Sequence, residues 1–396
     1  MAKIKPETIN VYQNPRYDSQ IAQSLYDCVE SKMWDDWDLE GLLYEVPHNF
    51  ADQLGSKHGI FCCSGTQGLH ASLLALDLQP GDQVIVPCMT FIRAVTPLLH
   101  LQLVPVLADI DPTTGNLNAQ TIEKALTSRV KAVIVVHMWG IVADIDEIKK
   151  VCDKNNLYLI EDFSHAHFSK HTQGYAGSFG HISFASLQKK KVLSTGEGGI
   201  IVTNADDIYE RLKRIVAPGS FKSDWSQAID FSGHGLNLRM SPFSAVVCRE
   251  ILEKPHIYVS RRQKSINVMK DLITKVTDLI EYPHVPQYAE VVSYYGFKPK
   301  ILPPLTLDKL KVVNQYNRWQ FSEFGYDAIA DSPFWKKDKR FYPFNLGIQP
   351  LQTSGHHGYA EYLRNRISLA VPTMPESYWT QEVIENWTNT LKAVFS

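Results

Sequence analysis

The chain has little excess charge, few cysteines and no long apolar run. Its 396 residues contain 40 Lys and Arg against 42 Asp and Glu, a net charge of −2. This balance argues against a nucleic-acid binder that relies on a basic surface, and against a polybasic membrane anchor. The six cysteines include no CxxC pair, so neither a disulfide framework nor a zinc ribbon is indicated.

The apolar stretches are too short to cross a membrane. The longest, residues 130–142, is interrupted by Lys131 and His137, whereas a membrane helix needs about 20 apolar residues. The opening sequence MAKIKPETIN lacks the apolar core that is typical of a signal peptide. We therefore expect a cytoplasmic protein with neither a membrane nor a nucleic-acid partner.

Short β-rich runs alternate with helical patterns over the first 250 residues. The helical spacing of apolar residues is clearest at 66–76 and 146–155. The β-rich runs are almost purely apolar in several cases, as expected for strands buried on both faces. They cover residues 59–63, 83–86, 104–107, 132–136, 157–160, 182–186 and 199–202. This alternation predicts an α/β fold with a mostly parallel sheet covered by helices.

The pattern changes after about residue 250. Residues 250–275 predict one long polar helix, residues 365–371 a strand and residues 380–395 a terminal helix. Aromatic segments lie at 294–297 and 334–344. We predict a large domain over residues 1–250, which includes an N-terminal segment, and a smaller C-terminal α/β domain over residues 251–396.

The segment Ser-Gly-Thr-Gln-Gly-Leu at 64–69 joins a predicted strand to a predicted helix. Unpaired N–H groups and the positive end of the dipole at a helix N-terminus bind phosphate. Gly65 and Gly68 permit a close approach, and Thr66 adds a hydroxyl. A plain Ser/Thr helix cap has the same pattern, so phosphate binding is indicated only together with other signals.

Two carboxylates, Glu161 and Asp162, end a buried strand, where open α/β sheets bind their ligands. One of them could serve as a general base, a metal ligand, the partner of a cationic ring, or merely a loop cap. His165, His167 and His171 follow, but their spacing with Asp162 matches no standard zinc pattern. We predict no metal site.

Three lysines at 189–191 enter a turn rich in Gly, Ser and Thr. Such a run is usually a solvated patch, but a lysine that is partly desolvated in the turn has a lowered pKa and can form a Schiff base. A phosphate-binding helix start, an aspartate at a strand end and a lysine in a glycine turn are together the parts of a pyridoxal phosphate site.

These segments resemble the DegT/DnrJ/EryC1/StrS family of sugar aminotransferases. The resemblance runs from about residue 46 to 241, and is weaker toward the C-terminus. It rests on SGTQGLHASLLALDLQPGDQVIVPCMTF, ADIDPTTGNLNAQTIEKAL, KAVIVVHMWGIVADIDEI, EDFSHAHF, GSFGHISFASLQKKKVLSTGEGG and GLNLRMS. It implies fold type I of the pyridoxal phosphate enzymes: a large domain with a mostly parallel sheet of the seven-stranded type, and a smaller C-terminal α/β domain.

The resemblance assigns roles to individual residues. Lys191 aligns with the Schiff-base lysine, and Asp162 with the partner of the pyridine nitrogen. These two are the predicted catalytic residues. Asn237 matches an asparagine that reaches the phosphate in the neighbouring subunit, which implies a homodimer. The predicted cofactor-binding residues are Gly65, Thr66, Gln67, Phe91, Asp162, His165, Ser186, Lys191 and Asn237. Phe91 matches the aromatic that stacks on the cofactor ring, although it also suits a core position.

Some positions depart from the family pattern. Phe168 replaces a small residue, and His181 stands where Asp is common. Arg93 occupies a position where small residues are commoner, and could meet a substrate carboxylate or pair with a surface acid. Residues 280–350 do not align, so the resemblance does not identify the determinants of substrate specificity there.

The implied activity is transfer of an amino group. L-Glutamate or L-glutamine is the expected donor, and a keto-sugar, nucleotide-linked in the favoured interpretation, or a keto-cyclitol is the expected acceptor. One alternative is a dehydratase or aromatising enzyme, because residues 235–247 resemble the branch that makes an aminohydroxybenzoate. Lys191 speaks against the sugar dehydratases, which often carry His there. A non-catalytic regulator that binds the cofactor is the third alternative.

Overall fold

A computed structural model describes residues 19–32, 39, 41–218, 234–315, 320–332, 350–352, 356–370 and 379–395. The helices are α1 (Ser19–Glu30), α2 (Leu42–Leu54), α3 (Gly65–Ala75), α4 (Thr96–His100), α5 (Ala119–Ala125), α6 (Ile145–Lys154), α7 (Asp206–Val216), α8 (Pro242–Leu252), α9 (Pro255–Thr274), α10 (Leu307–Lys311), α11 (His357–Leu363) and α12 (Gln381–Phe395). The strands are β1 (His58–Cys62), β2 (Gln83–Pro87), β3 (Val104–Ala108), β4 (Val130–Val136), β5 (Tyr158–Asp162), β6 (Lys170–His171), β7 (Gly174–Tyr175), β8 (Ile182–Ser186), β9 (Gly199–Thr203), β10 (Ile280–Glu281), β11 (Ala289–Val291), β12 (Lys300–Ile301), β13 (Gln320–Glu323), β14 (Leu351–Gln352) and β15 (Ile367–Ala370).

The central sheet has eight strands in the order β1-β9-β8-β5-β4-β2-β3-β14. Only β9 runs against its neighbours, since it pairs antiparallel with both β1 and β8. The predicted mostly parallel sheet is confirmed, and its seven longer strands coincide with the seven predicted β-rich runs. The eighth strand, β14, has two residues and was not predicted; it extends the sheet beyond β3.

Alternate residues of the central strands enter separate apolar cores on the two faces of the sheet. Val84, Ile134 and Ile160 pack with helices α3, α4 and α7 on one face. Ile85 and Val133 pack with α5 and α6 on the other. Because both faces are covered, these strands tolerate few polar residues, which explains why their sequences are nearly pure apolar runs.

The predicted single helix over 250–275 is wrong in one respect. Helix α8 ends at Leu252, and α9 begins at Pro255. Proline lacks an N–H and clashes with the preceding turn, so it starts a helix more readily than it continues one. None of the helices in the described part of the chain is both long and apolar enough to cross a bilayer.

The C-terminal part of the chain forms its own core around α9, α12, β13 and β15. The predicted strand and terminal helix are confirmed as β15 and α12. Strand β11 leaves this part and pairs with β6. The predicted aromatic segment 334–344 lies outside the described residues, and the domain boundary near residue 250 stays a prediction.

Candidate active site

A cavity of about 620 Å³ lies where several central strands end at their carboxyl termini. Its floor comes from the ends of β4, β5 and β8 and from the start of α3. Residues 295–298, 322–326 and 368–370 of the C-terminal part cover it. Open α/β sheets bind ligands at this edge because the chain reverses direction there and leaves a crevice.

The start of α3 is held directly against the end of β8. Ser64 caps the helix, and its hydroxyl oxygen accepts a hydrogen bond from the Gln67 N–H at 3.2 Å. A Cβ atom on Gly65 would lie 2.7 Å from the Ser186 Cβ, so only glycine fits. The close approach that Gly65 permits is therefore to the neighbouring strand, which brings the first turn of α3 beside the Ser186 hydroxyl.

Gly65 and Thr66 line the cavity, whereas Gln67 does not. The Gln67 N–H donates to the Ser64 cap, and the predicted role of Gln67 at the cofactor phosphate stays a prediction. Gly65 and Thr66 carry the first N–H groups of the helix, which have no partner within it. With the hydroxyls of Thr66 and Ser186 they form a neutral, donor-rich corner suited to a phosphate.

The two carboxylates at the end of β5 face opposite sides of the sheet, because successive strand residues alternate. Glu161 is fully buried away from the cavity and accepts hydrogen bonds from His137 Nε2 at 2.9 Å and from the N–H groups of Gly177, Phe179 and Gly180. Burial alone raises the pKa of Glu161, but these donors outweigh burial and hold the pKa below its usual value. Glu161 is thus a structural carboxylate.

Asp162 lines the cavity and accepts a hydrogen bond from the Ser164 N–H at 2.9 Å. Burial raises the pKa of its carboxyl group, although Ser164 and the positive charge of Lys191 lower it in part. A half-buried carboxylate in this situation is completed by a cation. A protonated ring nitrogen of a bound ligand supplies such a cation.

Lys191 is the half-buried member of the lysine run, while Lys189 and Lys190 are exposed. The turn that carries it is built from backbone bonds from Lys189 N–H to the Gly196 carbonyl and from Lys191 N–H to the Gln188 carbonyl, each 2.8 Å long. Gly196 has a φ of 88°, in the left-handed region that glycine adopts readily. The glycine-rich turn thus folds back and leaves Lys191 in the cavity.

Burial lowers the pKa of the Lys191 amine to about 8, with a small further effect of Lys190, while Asp162 opposes the shift. Lys191 Nζ lies 4.3 Å from the centre of the Tyr295 ring. Roughly one lysine in ten is then neutral at pH 7, against fewer than one in a thousand for an ordinary lysine. Lys191 is therefore suited to nucleophilic and proton-transfer chemistry.

Three stacked rings form one wall of the cavity; we call Trp139, His165 and Tyr295 the ring column. The His165 ring lies 5.6 Å from Trp139 and 3.9 Å from Tyr295, nearly parallel to both. Burial, with the nearby charges of Lys191 and Lys298, holds the pKa of His165 well below its usual value, so this imidazole is neutral. Its buried Nδ1 atom has no hydrogen-bond partner in the described part of the protein.

His165, His167 and His171 point to different surroundings. The His167 Nδ1 atom accepts a hydrogen bond from the Leu193 N–H at 3.1 Å, and burial lowers its pKa to about 3. His171 contacts the Tyr288 ring at 5.1 Å. His167 therefore steadies the loop that follows Lys191, and His171 steadies the β6 region.

Phe91 lines the cavity and is half exposed, in contrast to a core aromatic. Arg93 also lines it, with its guanidinium carbon 5.3 Å from the Phe91 ring centre. No ion pair of Arg93 with an acid is found among the described residues, so it faces the cavity without the surface partner considered above. His181 has a structural explanation, because its Nδ1 atom accepts a hydrogen bond from the Leu159 N–H.

Asn237 is exposed and lies outside this cavity. It has a φ of 52°, and its side-chain oxygen accepts two hydrogen bonds from Arg239, at 3.0 and 2.8 Å. The Asn237 side chain is therefore fixed at the surface of the chain. Its predicted action on a second subunit stays a prediction.

Sequence reasoning missed three residues that line the cavity. Trp139, Tyr295 and Lys298 all line the cavity. Tyr295 belongs to an aromatic segment that the sequence singled out without a role, and Trp139 follows a predicted strand end as Asp162 does. No sequence signal distinguishes Lys298 from the many surface lysines.

The cavity fits pyridoxal phosphate. Asp162 offers a half-buried carboxylate for a ring nitrogen, Lys191 a partly neutral amine, and the start of α3 a phosphate corner. The unpartnered Nδ1 atom of His165 is an orphaned buried polar atom of the kind that a ligand satisfies. Phe91 supplies an exposed aromatic face toward the same space.

Comparison with known proteins agrees with this chemistry. GDP-perosamine synthase of Caulobacter vibrioides is 32% identical over 273 residues, which cover 68% of this chain and 72% of that protein. L-glutamine:2-deoxy-scyllo-inosose aminotransferase of Streptoalloteichus tenebrarius is 33% identical over 57% of this chain, and the match spans only 55% of that protein. The structure of an aminotransferase from Psychrobacter cryohalolentis shares the fold, with a TM-score of 0.80, 24% identity, and coverage of 96% of this chain and 98% of that one.

The DegT/DnrJ/EryC1/StrS aminotransferase family matches residues 16–337, which include all of the cavity floor and both predicted catalytic residues. The chain therefore belongs to the DegT/DnrJ/EryC1/StrS aminotransferase family and is a pyridoxal phosphate-dependent aminotransferase.

Proposed function

We propose that the protein transfers an amino group from L-glutamate or L-glutamine to the keto group of a sugar or cyclitol, with Lys191 and Asp162 as catalytic residues. The observation that carries this proposal is the Lys191 amine, which lies in the same cavity as the Asp162 carboxylate and whose pKa burial lowers to about 8. A scaffold or regulator has no need of a partly neutral lysine in this position.

When bound, pyridoxal phosphate supplies an aldehyde that condenses with amines and a ring that withdraws electrons. Asp162 holds a proton on the ring nitrogen by its charge. Lys191 Nζ accepts the proton that leaves the α-carbon of the donor and, in the second half of the reaction, returns a proton to the carbon that gains the amino group. Gly65, Thr66 and Ser186 hold the phosphate, and the ring column excludes water on one side.

The names of the relatives support the substrate class. One is a GDP-perosamine synthase, and the other an L-glutamine-dependent aminotransferase of an inosose. A keto-sugar, whether nucleotide-linked or not, and a keto-cyclitol both have a ring of hydroxyl-bearing carbons with one keto group. The two kinds of acceptor therefore present the same reacting group. The cavity has the volume that is usual for small-molecule sites, about 300–1,000 Å³.

We also propose that the working form is a homodimer in the cytoplasm, with Asn237 of each subunit reaching the phosphate of the other. Asn237 supports this because it is exposed, fixed by Arg239, and absent from the lining of the cavity of its own chain.

The test compares Lys191→Ala with Lys189→Ala in the presence of L-glutamate or L-glutamine and keto-sugar or keto-cyclitol acceptors. Lys191→Ala should lose at least about a thousandfold in kcat, because nucleophile and proton carrier are lost together. Lys189→Ala, which removes an exposed charge outside the cavity lining, should retain most activity. Product analysis should show one keto acid for each amine formed. A product formed without consumption of the donor would favour a dehydratase or aromatising enzyme instead.

A further inference from the structure

Lys298 is a buried cation in the roof of the cavity that the proposed mechanism does not use. The residue is 9% exposed, and it lines the same cavity as Lys191. It follows Phe297, whose carbonyl accepts a hydrogen bond from the Leu369 N–H. The Lys298 carbonyl in turn accepts a hydrogen bond from Arg366 at 2.7 Å. The backbone that carries Lys298 is therefore fixed on both sides.

The ammonium group is held by aromatic rings and one hydroxyl. Lys298 Nζ lies 4.3 Å from the Trp139 ring centre and 5.3 Å from that of Phe324, and it donates to Ser368 Oγ at 2.5 Å. Ring faces attract a cation but accept no conventional hydrogen bond. An ammonium has three N–H donors, and the described residues supply an oxygen acceptor for one of them.

The charge of Lys298 is not neutralised within the described part of the chain. No carboxylate there lies within 4 Å of Nζ, whereas the nearby Lys300 pairs with Glu281 at 3.5 Å. Burial also lowers the pKa of Lys298 to about 8, which reflects the cost of an unpaired charge. A buried, unpaired cation that faces a cavity is completed by an anion from outside the chain.

The cavity lining as a whole also carries more positive than negative side chains. Five cationic residues line the cavity, against three acidic ones. The cations are Arg93, Lys190, Lys191, Arg262 and Lys298, and the acids are Asp162, Glu197 and Glu323. A cavity with a surplus of positive charge favours anionic ligands over neutral ones.

We propose that Lys298 Nζ binds an anionic oxygen group, carboxylate or phosphate, of a substrate in the cavity. This inference rests on the proposed function and deepens it by naming a residue that selects substrates. The ring column sets the position of the anion, because Lys298 lies over Trp139 at one end and Lys191 over Tyr295 at the other. The anionic group is thus held beside Trp139, while the amine that reacts lies beside Tyr295.

The anion has two possible sources, the carboxylate of the amino donor and a phosphate on the acceptor. The first arm of the test measures the L-glutamate concentration that half-bleaches the visible band of the cofactor-loaded protein without acceptor. Lys298→Met should raise this concentration at least about tenfold if the donor carboxylate binds there. The second arm measures by calorimetry the binding of inorganic phosphate and of GDP to the cofactor-loaded protein. If the acceptor phosphate binds at Lys298, Lys298→Met should weaken this binding by a similar factor.

Lys298→Met keeps the unbranched stem and removes only the charge, so its packing should survive. Lys298→Arg should bring the affinity that Lys298→Met weakens back to within about threefold of the wild type, because a guanidinium also binds carboxylate and phosphate. Lys300→Met, two residues away and outside the cavity lining, is the matched control and should change neither arm.

A Lys298→Met protein that binds L-glutamate, phosphate and GDP within twofold of the wild type overturns the proposal, as does a wild type that binds none of them. Failure of the proposed function looks different. In that case the wild type ignores amino donors altogether, while its phosphate or GDP binding still depends on Lys298.

Discussion

At the residue scale, the site depends on side chains whose charge is unfavourable before a ligand arrives. Asp162, Lys191 and Lys298 are polar groups in a cavity with aromatic walls. Burial raises the pKa of the carboxyl group and lowers that of each amine. Such arrangements cost stability and are maintained where function uses them.

Asp162→Asn tests the role of the carboxylate without disturbing its contacts. The asparagine oxygen can still accept the Ser164 N–H, so the fold and its melting temperature should be retained. An amide cannot hold a proton on the ring nitrogen, so kcat should fall on the order of a hundredfold or more. Steady-state kinetics with thermal unfolding checks both parts. An active Asp162→Asn enzyme would show that the carboxylate is dispensable.

The buried charge of Lys298 predicts a stability difference that depends on pH. Its pKa is about 8 when folded and 10.5 when unfolded, so unfolding takes up protons between these values and wild-type stability gains as pH rises. Lys298→Met should therefore exceed the wild type by about 1–3 kcal/mol at pH 7. This advantage should shrink between pH 8 and pH 10.5.

Urea unfolding of the cofactor-loaded proteins without substrate, at pH 7 and pH 10, measures that difference. The wild type must be compared with Lys298→Met, because the pH dependence of the wild type alone contains other contributions. Buried tyrosines and cysteines such as Tyr359 and Cys248 have raised pKa values, so they lower the stability of both proteins as pH rises. A constant difference across this pH range would mean that Lys298 is not desolvated.

Sequence alone could single out Lys191 as a candidate but not Lys298. Lys191 stands at a fixed distance before a glycine motif, and this spacing distinguished it from its neighbour Lys190. The structure agrees, since Lys190 is exposed whereas Lys191 is half-buried. Lys298 gains its meaning from Trp139, Phe324 and Ser368, which are far apart in sequence. The Gln67 N–H donates to the Ser64 cap, a local bond that does not test its predicted role at the phosphate.

At the scale of elements, the junction of α3 with β8 positions the phosphate corner. Gly65 has no room for a side chain against Ser186, with a Cβ separation of 2.7 Å. Gly68 is less restricted, since a Cβ there would lie 3.3 Å from Cys62 Sγ. The first turn of the helix and the strand end are therefore one rigid unit.

Gly65→Ala should push the helix start away from Ser186 and weaken cofactor binding at least about tenfold, because the N–H groups no longer converge on the phosphate. Gly68→Ala is the matched control and should change the affinity much less. Titration of the cofactor-free proteins with pyridoxal phosphate, followed by absorbance, gives both dissociation constants. Equal affinities in the two variants would locate the phosphate elsewhere.

The strands were predictable because burial on both faces leaves a strong apolar signal. The break between α8 and α9 was missed although Pro255 marks it, because helical periodicity continues on both sides. Strands of two residues, such as β6 and β14, carry no periodicity at all. Their pairing depends on contacts between distant parts of the chain.

At the scale of the whole molecule, the cavity is formed jointly by the central sheet and by the C-terminal part of the chain. The floor comes from the central sheet, and the roof from residues after 290. The floor carries the chemistry that the family shares, and its motifs were readable. The roof carries Tyr295 and Lys298, for which no motif of the sequence predicted a role, and only the fold places them in the same cavity as Lys191.

The proposed dimer predicts complementation between two inactive proteins. In a mixed dimer of Lys191→Ala and Asn237→Ala subunits, one site has both residues intact if Asn237 acts across the interface. Statistical mixing after reversible unfolding should then restore about a quarter of wild-type activity. Activity assays on the mixture and on each variant alone give the comparison. No recovery would place Asn237 in the site of its own chain.

The most direct test of the central claim is the visible absorption spectrum of the purified protein, with and without an amino donor. The wild type loaded with pyridoxal phosphate should show a yellow band that depends on Lys191 and bleaches when L-glutamate or L-glutamine is added, with one keto acid released per site. Lys191→Ala should lack the lysine-linked band. A wild type that stays colourless with added pyridoxal phosphate would contradict the account, since Lys191 and Asp162 would then form no cofactor site.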